Sequence, residues 1–325
     1  MLNTKIFDTD IEKEPIRAGF GQGLLEAGKL DTNVVALCAD LTDSVKMDLF
    51  KKEFPNRFIE MGIQEQSMAS VASGMAAMGK IPFMASYAMF SPGRNWEQIR
   101  TTICYNNVPV KIAGAHAGVS VGPDGGTHQA IEDIALMRVI PNMVVIVPCD
   151  SIEAKKATIA MASNGRPTYL RLAREKSAVV TTEETPFQIG KAEVFYESVF
   201  ESEKKVGIIA CGQMVYNSIM AARALEGQGV QVGVLNLATI KPLDTASIIS
   251  FAKKYGSILT AEEHQIAGGM GSAVSQTLSE NYPVKMAFIG VEDAFGQSGT
   301  PDELLSFYKM DIESIVKKAQ DLINK

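Results

Sequence analysis

The sequence predicts an α/β fold of two doubly wound domains, each a mostly parallel sheet with helices on both faces. Short apolar runs of strand length alternate with segments of helical spacing along most of the chain, which is the rhythm of βαβ units. A polar stretch at 175–190, which contains Pro186, interrupts this rhythm and is typical of a linker. The length of 325 residues also corresponds to about two domains. We therefore predict one domain over residues 1–180 and a second over residues 190–325.

In the first predicted domain, apolar runs indicate strands and helical spacing indicates the helices between them. The predicted strands are 33–38, 57–61, 82–85, 108–113, 143–147 and 168–172. The predicted helices are 64–78, 95–105, 128–138 and 151–163. In the helix at 64–78, Met68, Ala72 and Met75 fall at helical spacing among Ala, Ser and Gly, whose small side chains allow a helix to pack closely.

The second predicted domain repeats the pattern over a shorter stretch. The predicted strands are 206–211, 230–235, 257–261 and 284–289. The predicted helices are 215–226, 269–280, 302–308 and 311–322, and the sequence Lys-Pro-Leu-Asp at 241–244 is expected to begin one more.

Composition and charge argue against a membrane protein and against a nucleic-acid-binding protein. The chain is 46% hydrophobic, but no apolar run approaches the roughly 18 residues that a membrane span needs. The first 17 residues carry charge throughout and lack the apolar core of a signal peptide. The net charge is −6 and the lysine pairs are scattered, whereas a nucleic-acid surface gathers basic residues on one face. We therefore expect neither a membrane nor a nucleic acid as partner.

The cysteines and histidines predict a reduced protein without a metal site of its own. Cys38, Cys104, Cys149 and Cys211 lie far apart, mostly in apolar strand-like segments, as buried free thiols do. This usage is typical of a reducing compartment, so we expect a cytoplasmic location. The sequence has no C-x-x-C, and its three histidines lack the spacing of metal ligands.

Glu65 is a candidate functional carboxylate because of where it falls in the pattern. It lies between a predicted strand and a predicted helix, in the first turn of that helix, where the helix dipole stabilises a negative charge. A carboxylate near a buried face can also share a proton with a ligand in a low dielectric. A purely structural glutamate has the same signature, so position alone does not assign the role.

A glycine-rich loop at 114–129 is the strongest candidate binding element. It follows one predicted strand and precedes a helix, and ligands of open α/β sheets bind at such carboxyl ends of strands. The loop contains five glycines, and His116, Asp124 and His128 lie close together in its sequence. Because polar groups of this kind are seldom concentrated in a plain turn, the loop is expected to be functional.

Three further segments remain ambiguous on their residues alone. Tyr87 and Phe90 are three apart and either share a binding face or pack in the core. Arg171 and Arg174 flank the end of a predicted strand and could bind a phosphate or a carboxylate. The turn at 268–272 resembles a dinucleotide-binding fingerprint only weakly, because the position where the third glycine belongs is Val274.

Taken together, these segments resemble the carboxyl-terminal portion of transketolases. The resemblance covers nearly the whole chain and follows a fixed order of motifs: ADLTDS, FIEMGIQEQ, SYAMFSPGR, AHAGVSVGPDGGTHQ, YLRLAR, IKPLD and EEHQIAGGMGSAV. Single motifs are loose, but this order at these separations is highly specific. The resemblance implies that the first domain binds the pyrimidine ring of thiamine diphosphate and that the second is the transketolase carboxyl-terminal domain.

The resemblance also implies that this sequence lacks the domain that binds the diphosphate of the cofactor. Transketolases carry an amino-terminal domain that binds the diphosphate and its Mg²⁺ through a G-D-G…N motif, and we find no such motif at suitable spacing in this sequence. The chain is therefore expected to be the second subunit of a split transketolase. It would need an N-terminal partner subunit that carries the diphosphate and metal site, and we expect an α2β2 heterotetramer that acts on sugar phosphates of the pentose phosphate pathway.

Several residues match positions that contact the cofactor in transketolases. Glu65 matches the glutamate that hydrogen-bonds a pyrimidine nitrogen and so promotes loss of the thiazolium proton. Tyr87 and Phe90 match aromatic residues that pack on the pyrimidine, and Asp40 matches a carboxylate near the cofactor. The third aromatic of many transketolases aligns with Gly93, which puts that wall of the pocket in doubt.

Other residues match positions that bind the sugar substrates. The positions that contact the sugar phosphate correspond to Arg17, Ser44, His116 and Arg174. Asp124 matches the group that reads the stereochemistry of the donor hydroxyls, and His128 matches a histidine beside it. With Glu65, the two loop histidines are the catalytic candidates.

Two related enzyme classes compete with a transketolase. The 2-oxoacid dehydrogenase β subunit has nearly this length and also works with a separate α subunit, but it generally lacks the G-x-D-G-x-T-H loop. Deoxyxylulose-phosphate synthase has that loop and the G-Q-S-G found at 296–299, but it usually has arginine where His116 stands. His116 therefore favours a transketolase that transfers a two-carbon ketol unit between a ketose phosphate and an aldose phosphate.

Two functions from other classes remain as alternatives. A non-catalytic assembly subunit could keep the fold, but it would not need to retain Glu65, His116, Asp124 and His128. A dinucleotide-binding oxidoreductase would depend on the turn at 268–272 alone. Titration with thiamine diphosphate separates both alternatives from a transketolase subunit.

Overall fold

Two large β-sheets form the framework of the protein in a computed structural model, which describes residues 2–324. The strands are β1 (Lys13–Pro15), β2 (Val34–Cys38), β3 (Phe58–Glu60), β4 (Ile81–Tyr87), β5 (Lys111–Ala115), β6 (Val144–Ile146), β7 (Thr168–Arg171), β8 (Lys176–Ala178), β9 (Glu193–Glu197), β10 (Lys205–Ala210), β11 (Gln231–Asn236), β12 (Thr239–Lys241), β13 (Ser257–Gln265) and β14 (Lys285–Val291).

Helices connect most of these strands. The α-helices are α1 (Ile16–Leu30), α2 (Asp48–Glu53), α3 (Glu65–Ala77), α4 (Trp96–Gln98), α5 (Asp133–Arg138), α6 (Ser151–Ser163), α7 (Met214–Glu226), α8 (Thr245–Tyr255), α9 (Met270–Asn281), α10 (Pro301–Phe307) and α11 (Ile312–Ile323). Short 3-10 segments lie at Pro55–Arg57 and Val119–Asp124, and α4 continues into a π-helix at Ile99–Cys104.

The seven-stranded sheet has the order β12-β6-β7-β5-β4-β2-β3. From β6 to β3 in this order, every pair of neighbouring strands is parallel. The edge strand β12 comes from the C-terminal half of the chain and pairs antiparallel with β6. Side chains alternate between the faces: Val35 and Leu37 of β2 pack with α3, whereas Val34 and Ala36 pack with α1 and α6. The α/β prediction is confirmed, with a sheet covered on both faces.

The five-stranded sheet has the order β14-β13-β10-β11-β9. Its four core strands are parallel, and β9 closes one edge in antiparallel orientation. A second large apolar cluster lies against this sheet and includes side chains of α7 and α11. Helix α8 begins after Lys241 and Pro242, as predicted, because the carboxylate of Asp244 accepts a hydrogen bond from the amide of Ser247.

Helix α1 was not among the predicted elements, and its glycines have low helix propensity. The structure explains them through the close approach of α6. A Cβ atom at Gly19 would collide with the carbonyl oxygen of Ser151, and one at Gly23 would lie 2.7 Å from that of Lys155. These glycines therefore serve helix packing, and tertiary contact overrides local propensity.

Two predicted segments differ from the structure for identifiable reasons. The helix predicted at 128–138 begins only at Asp133, because Ala130 forms a parallel bridge to Ala117 and its carbonyl accepts a hydrogen bond from Gly118. The linker predicted at 175–190 contains β8, which pairs antiparallel with β1. Both differences depend on partners that are distant in sequence.

No helix within residues 2–324 is long and apolar enough to cross a membrane. Cys38, Cys104, Cys149 and Cys211 are buried and free, as predicted.

Candidate active site

Sequence-predicted site residues converge at one edge of the seven-stranded sheet. Asp40, Tyr87, His116 and Arg174 lie at or just beyond the ends of β2, β4, β5 and β7. These four strands are parallel neighbours in the sheet, so their carboxyl ends meet at the same edge. Crevices at such edges are where open α/β sheets bind ligands.

Four rings form a cluster at this edge. The rings of Tyr87 and His116 stack with centroids 3.7 Å apart, and those of Tyr87 and Phe90 stack with centroids 6.0 Å apart. The ring of His128 meets Phe90 edge-on at 5.6 Å and Tyr87 at 6.3 Å. Tyr87 and Phe90 are only half-buried, so they do not belong to the closed core and offer a surface for a flat ligand.

His116 is neutral at physiological pH. It is 2% exposed, and burial lowers the pKa of its imidazole to about 3, with the nearby charges of Arg17, Arg174 and His128 acting in the same direction. Its backbone has a φ of 56°, a conformation uncommon for residues other than glycine. The Nδ1 atom is buried without a hydrogen-bond partner among the described residues. An unpartnered buried nitrogen of this kind is costly unless a ligand completes it.

Two arginines lie beside His116. The guanidinium of Arg17 donates to the carbonyl oxygens of Ser44 and, at 3.2 Å, of Arg174. Arg174 donates to the carbonyl oxygen of Val121 at 2.9 Å and to the carboxylate of Glu175 at 2.6 Å. Burial and the neighbouring Arg174 lower the pKa of Arg17 from its usual value. Two cations held this close together favour an anionic ligand.

Glu65 is the first residue of α3 and is 1% exposed. Its carbonyl oxygen accepts a hydrogen bond from the side-chain amide of Asn95 at 3.0 Å, which fixes the start of the helix. Its carboxylate lies 3.4 Å from the guanidinium of the exposed Arg94, a long contact for an ion pair. The carboxylate is thus buried at a helix N-terminus with hydrogen-bonding capacity to spare.

Glu60 is a contributor that the sequence did not reveal. Its carboxylate accepts hydrogen bonds from the backbone amides of Asp40, at 2.7 Å, and Gly62, at 3.1 Å, and from the hydroxyl of Thr42. Asp40 has a φ of 58°, so Glu60 stabilises an unfavourable backbone conformation at the end of β2. A single glutamate on a strand gives no sequence signal for this long-range role.

Gly93 is the residue that the resemblance aligns with the third aromatic of many transketolases. A Cβ atom on this backbone would collide with the carbonyl oxygen of Met89, so no aromatic side chain fits here without a backbone shift. Gly93 is exposed at the surface. Gly93 therefore contributes no side chain to this part of the site.

The glycine-rich loop depends on backbone conformations that favour glycine. Gly118, Gly122 and Gly125 have φ values of 91°, 82° and 76°. Asp124 lies exposed at the end of the 3-10 segment between the two loop histidines. The loop thus carries His116 and His128 into the ring cluster and leaves the Asp124 carboxylate accessible.

The structure argues against two possibilities that the sequence left open. Arg171 is not available to a ligand, because it is 5% exposed and its Nε lies 2.9 Å from the carboxylate of Asp133. The turn at 268–272 is not free to bind a phosphate, because the amides of Met270 and Gly271 donate to the buried carboxylate of Glu262.

The described residues suit the pyrimidine half of thiamine diphosphate. A buried carboxylate can bond a ring nitrogen, stacked aromatic rings can cover the ring face, and the orphan Nδ1 of His116 and the two arginines can receive a polar, anionic substrate. Within residues 2–324 no group of three or more His, Cys, Asp or Glu side chains is placed to hold a metal ion.

Fold and site together define an α/β protein with polar and aromatic side chains gathered at the carboxyl ends of its parallel strands, and comparison identifies its family. The family model described as "Transketolase, pyrimidine binding domain" matches residues 12–178, and that described as "Transketolase, C-terminal domain" matches residues 197–315. The chain belongs to the transketolase family.

Relatives of the same length support this assignment. A putative transketolase C-terminal section of Methanocaldococcus jannaschii is 41% identical over 313 residues, which are 95% of this chain and 96% of that protein. A 6-deoxy-6-sulfo-D-fructose transketolase subunit from a Clostridium species is 35% identical, with 98% of each chain covered. A solved structure described as "Split gene transketolase, inactive beta4 tetramer" is 40% identical, with a TM-score of 0.87 over 95% of this chain and 98% of that one.

Proposed function

We propose that this chain is the pyrimidine-binding and sugar-binding subunit of a two-chain, thiamine diphosphate-dependent ketol transferase. Two observations support the proposal: the ring cluster and the two arginines lie at the same strand ends, and the buried Glu65 contacts Arg94 and Asn95, which follow Phe90 in the chain. The bound cofactor would supply the carbon nucleophile that accepts a two-carbon unit from a ketose. The protein then has to bind, orient and move protons.

Glu65 is assigned the central proton-sharing role. Its buried carboxylate would hold a hydrogen bond to a pyrimidine nitrogen in a low dielectric, where such a bond is strong. Tyr87 and Phe90 would pack on the ring, and Asp40 would lie at the rim. Since Arg94 contacts the Glu65 carboxylate only at 3.4 Å, the carboxylate keeps capacity for this bond.

The sugar phosphates would occupy the arginine side of the crevice. Arg17 and Arg174 would bind the phosphate, with Ser44 beside them. His116, neutral because burial lowers its pKa to about 3, can donate or accept a hydrogen bond without adding a third positive charge. Asp124 and His128 would contact the donor hydroxyls, and with Glu65 the two histidines form the catalytic set.

A second subunit is part of the proposal. The solved relative described as an inactive beta4 tetramer suggests that the β chain alone lacks activity. We propose an N-terminal transketolase subunit as partner, which would hold the diphosphate and Mg²⁺, in an α2β2 assembly in the cytoplasm. The donor is proposed to be a ketose phosphate of the pentose phosphate pathway. Because one relative is a 6-deoxy-6-sulfo-D-fructose transketolase subunit, other ketose donors should be tested as well.

Reconstitution tests the proposed function directly. The purified chain alone should show no ketol transfer from xylulose 5-phosphate to ribose 5-phosphate, and adding the N-terminal subunit, thiamine diphosphate and Mg²⁺ should start it. The same assay with 6-deoxy-6-sulfofructose as donor tests the specificity. Full activity of the isolated chain would overturn the two-chain proposal, and an assembled but inactive complex with every ketose donor would overturn the enzymatic one.

A further inference from the structure

A buried carboxylate of the five-stranded sheet reaches into the glycine-rich loop. Glu263, on β13, is 3% exposed. One carboxylate oxygen accepts the backbone amide of Ser120 at 2.6 Å, and the other accepts the side-chain amide of Gln213 at 2.6 Å. The Ser120 bond joins residues that are 143 positions apart in sequence. It therefore couples the C-terminal half of the chain to the loop that carries His116 and Asp124.

The loop is shaped to receive this carboxylate. A Cβ atom at Gly118 would collide with the carboxyl group of Glu263, and Gly118 has a φ of 91°. Burial raises the pKa of Glu263, while Arg171 acts in the opposite direction. The side chain of Arg171 also donates to the backbone carbonyl of Glu263 at 2.8 Å. Glu263 is thus held by Arg171 through its backbone and by the loop through its carboxylate.

A second contact from the same half of the chain supports the loop at its other end. The side-chain amide of Gln129 donates to the carbonyl oxygens of Val119 and Gln297, each at 2.9 Å. A Cβ atom at Gly126 would lie 2.6 Å from the carbonyl oxygen of Gly296, and one at Gly125 would lie 2.7 Å from the hydroxyl of Ser298. The loop is packed against the C-terminal half on both sides of Asp124.

We propose that Glu263 is a positioning residue for substrate recognition: through the amide of Ser120 it fixes the loop that presents His116 and Asp124 to the sugar. The loop cannot hold this shape by itself, because its glycines pack few side-chain atoms and lose the most backbone entropy on ordering. A charge-assisted bond to a buried carboxylate offsets that entropy. This inference rests on the proposed function for its kinetic consequence, but the loop-holding role can be measured without it.

Hydrogen–deuterium exchange of the full chain tests the loop-holding role. Glu263→Ala should speed exchange of the amides in 117–125 by about 10-fold or more, the scale of losing a charge-assisted bond. Glu263→Gln keeps one acceptor for Ser120, because Gln213 can rotate its amide to accept from the new side chain, and should restore most of the protection. Gln213→Ala, which removes only the outer support, is a second variant in case Glu263→Ala misfolds, and it should give a smaller acceleration.

Glu262→Gln is the matched control. Glu262 is the neighbouring buried glutamate, and its carboxylate bonds the start of α9 instead of the loop. Because its bonds are made to α9, this variant should accelerate exchange in 117–125 much less than Glu263→Ala does. In the assembled enzyme, Glu263→Ala should raise KM for the ketose donor by about 10-fold or more and reduce discrimination between donors epimeric at the hydroxyl read by Asp124, with little effect on thiamine diphosphate affinity.

The outcomes separate the two ideas. Unchanged loop exchange in both Glu263→Ala and Gln213→Ala would overturn the loop-holding role. Faster exchange with an unaltered donor KM and epimer discrimination would show that the tether exists but does not position substrate, which also overturns the inference. A wild-type assembly without ketol transfer would overturn the proposed function, and the exchange measurement would then decide on Glu263 by itself.

Discussion

Glu65 and Glu262 are both buried glutamates whose carboxylates lie at a helix N-terminus, Glu65 as the first residue of α3 and Glu262 reaching α9 from β13, yet they are used in opposite ways. The Glu262 carboxylate accepts hydrogen bonds from the amides of Met270 and Gly271, at 2.6 and 2.8 Å, so both of its oxygens are engaged at the N-terminus of α9. Among the described residues, the Glu65 carboxylate has only the 3.4 Å contact to the exposed Arg94, which lies in the segment that follows Phe90. A buried carboxylate becomes a candidate for chemistry where its own protein leaves it incompletely bonded.

Glu65→Gln should give the largest effect and tests the functional side of this contrast. The shape is kept, but proton sharing with a pyrimidine nitrogen is weakened. In the assembled enzyme, C2 hydrogen–deuterium exchange of bound thiamine diphosphate should slow by about 100-fold or more, while cofactor affinity falls only modestly. Glu65→Ala should behave similarly.

The control for this experiment has to avoid Glu60, because its carboxylate holds the amides of Asp40 and Gly62. Glu313→Gln is a better match, since Glu313 is an exposed glutamate in the first turn of α11. It should exchange C2 at the wild-type rate. A wild-type rate in Glu65→Gln as well would make Glu65 a structural residue like Glu262.

Arg174→Ala should give the next largest effect. It removes one of the two cations beside His116, so KM for phosphorylated sugars should rise by the equivalent of roughly 2 kcal/mol. Hydroxypyruvate, which lacks a phosphate, should be affected little. Equal losses on both donors would mean that Arg174 acts through its bond to the Val121 carbonyl, and so through the loop.

Glu262→Gln should affect stability instead of catalysis. One of its two acceptor oxygens becomes an amide group that faces a backbone donor, so the free energy of unfolding should fall by about 1–3 kcal/mol. Urea denaturation followed by circular dichroism measures the loss, with Glu313→Gln again as the exposed counterpart. If Glu262→Gln slowed C2 exchange as much as Glu65→Gln does, the two glutamates would not differ in function as described.

Glu153 extends the contrast to a third buried glutamate, with a smaller effect that depends on pH. Its carboxylate accepts the amide of Cys149 and the side-chain amide of Asn236, each at 2.7 Å. Burial, and after it the nearby Asp150, raises the pKa of Glu153 to about 7. The folded state therefore keeps a proton that the unfolded state releases.

The sign of the pH effect follows from that raised pKa. The stabilising contribution is complete below the unfolded pKa of about 4.3 and is lost as the pH rises toward 7. The unfolding free energy should fall by about 1–3 kcal/mol over this range, and Glu153→Gln should flatten the dependence. If the unfolding free energies of wild type and variant depended equally on pH, the proton retained in the folded state would belong to a group other than Glu153.

The sequence predicted the alternation of strands and helices well, because buried parallel strands such as β2 and β5 are short unbroken apolar runs. The sequence-based prediction failed where contacts between residues distant in sequence determine the secondary structure. Helix α1 carries glycines that only the contact with α6 explains, and β12 exists because it pairs with β6. The order of the motifs pointed to most of the candidate site residues. The spacing of residues could not show that Arg171 forms an ion pair with Asp133. It also could not show that Glu60 bonds the backbone at Asp40 or that Glu263 bonds the glycine-rich loop at Ser120.

The antiparallel pairing of β12 with β6 has a consequence for how the chain is made. The seven-stranded sheet lacks its edge strand until residues 239–241 have left the ribosome, long after β7 is complete. During that interval β6 presents an apolar, unpaired edge, which is the kind of surface that recruits other strands. A fragment that ends at residue 180 would keep this edge permanently, so the N-terminal half should be prone to self-association when it is expressed without the rest.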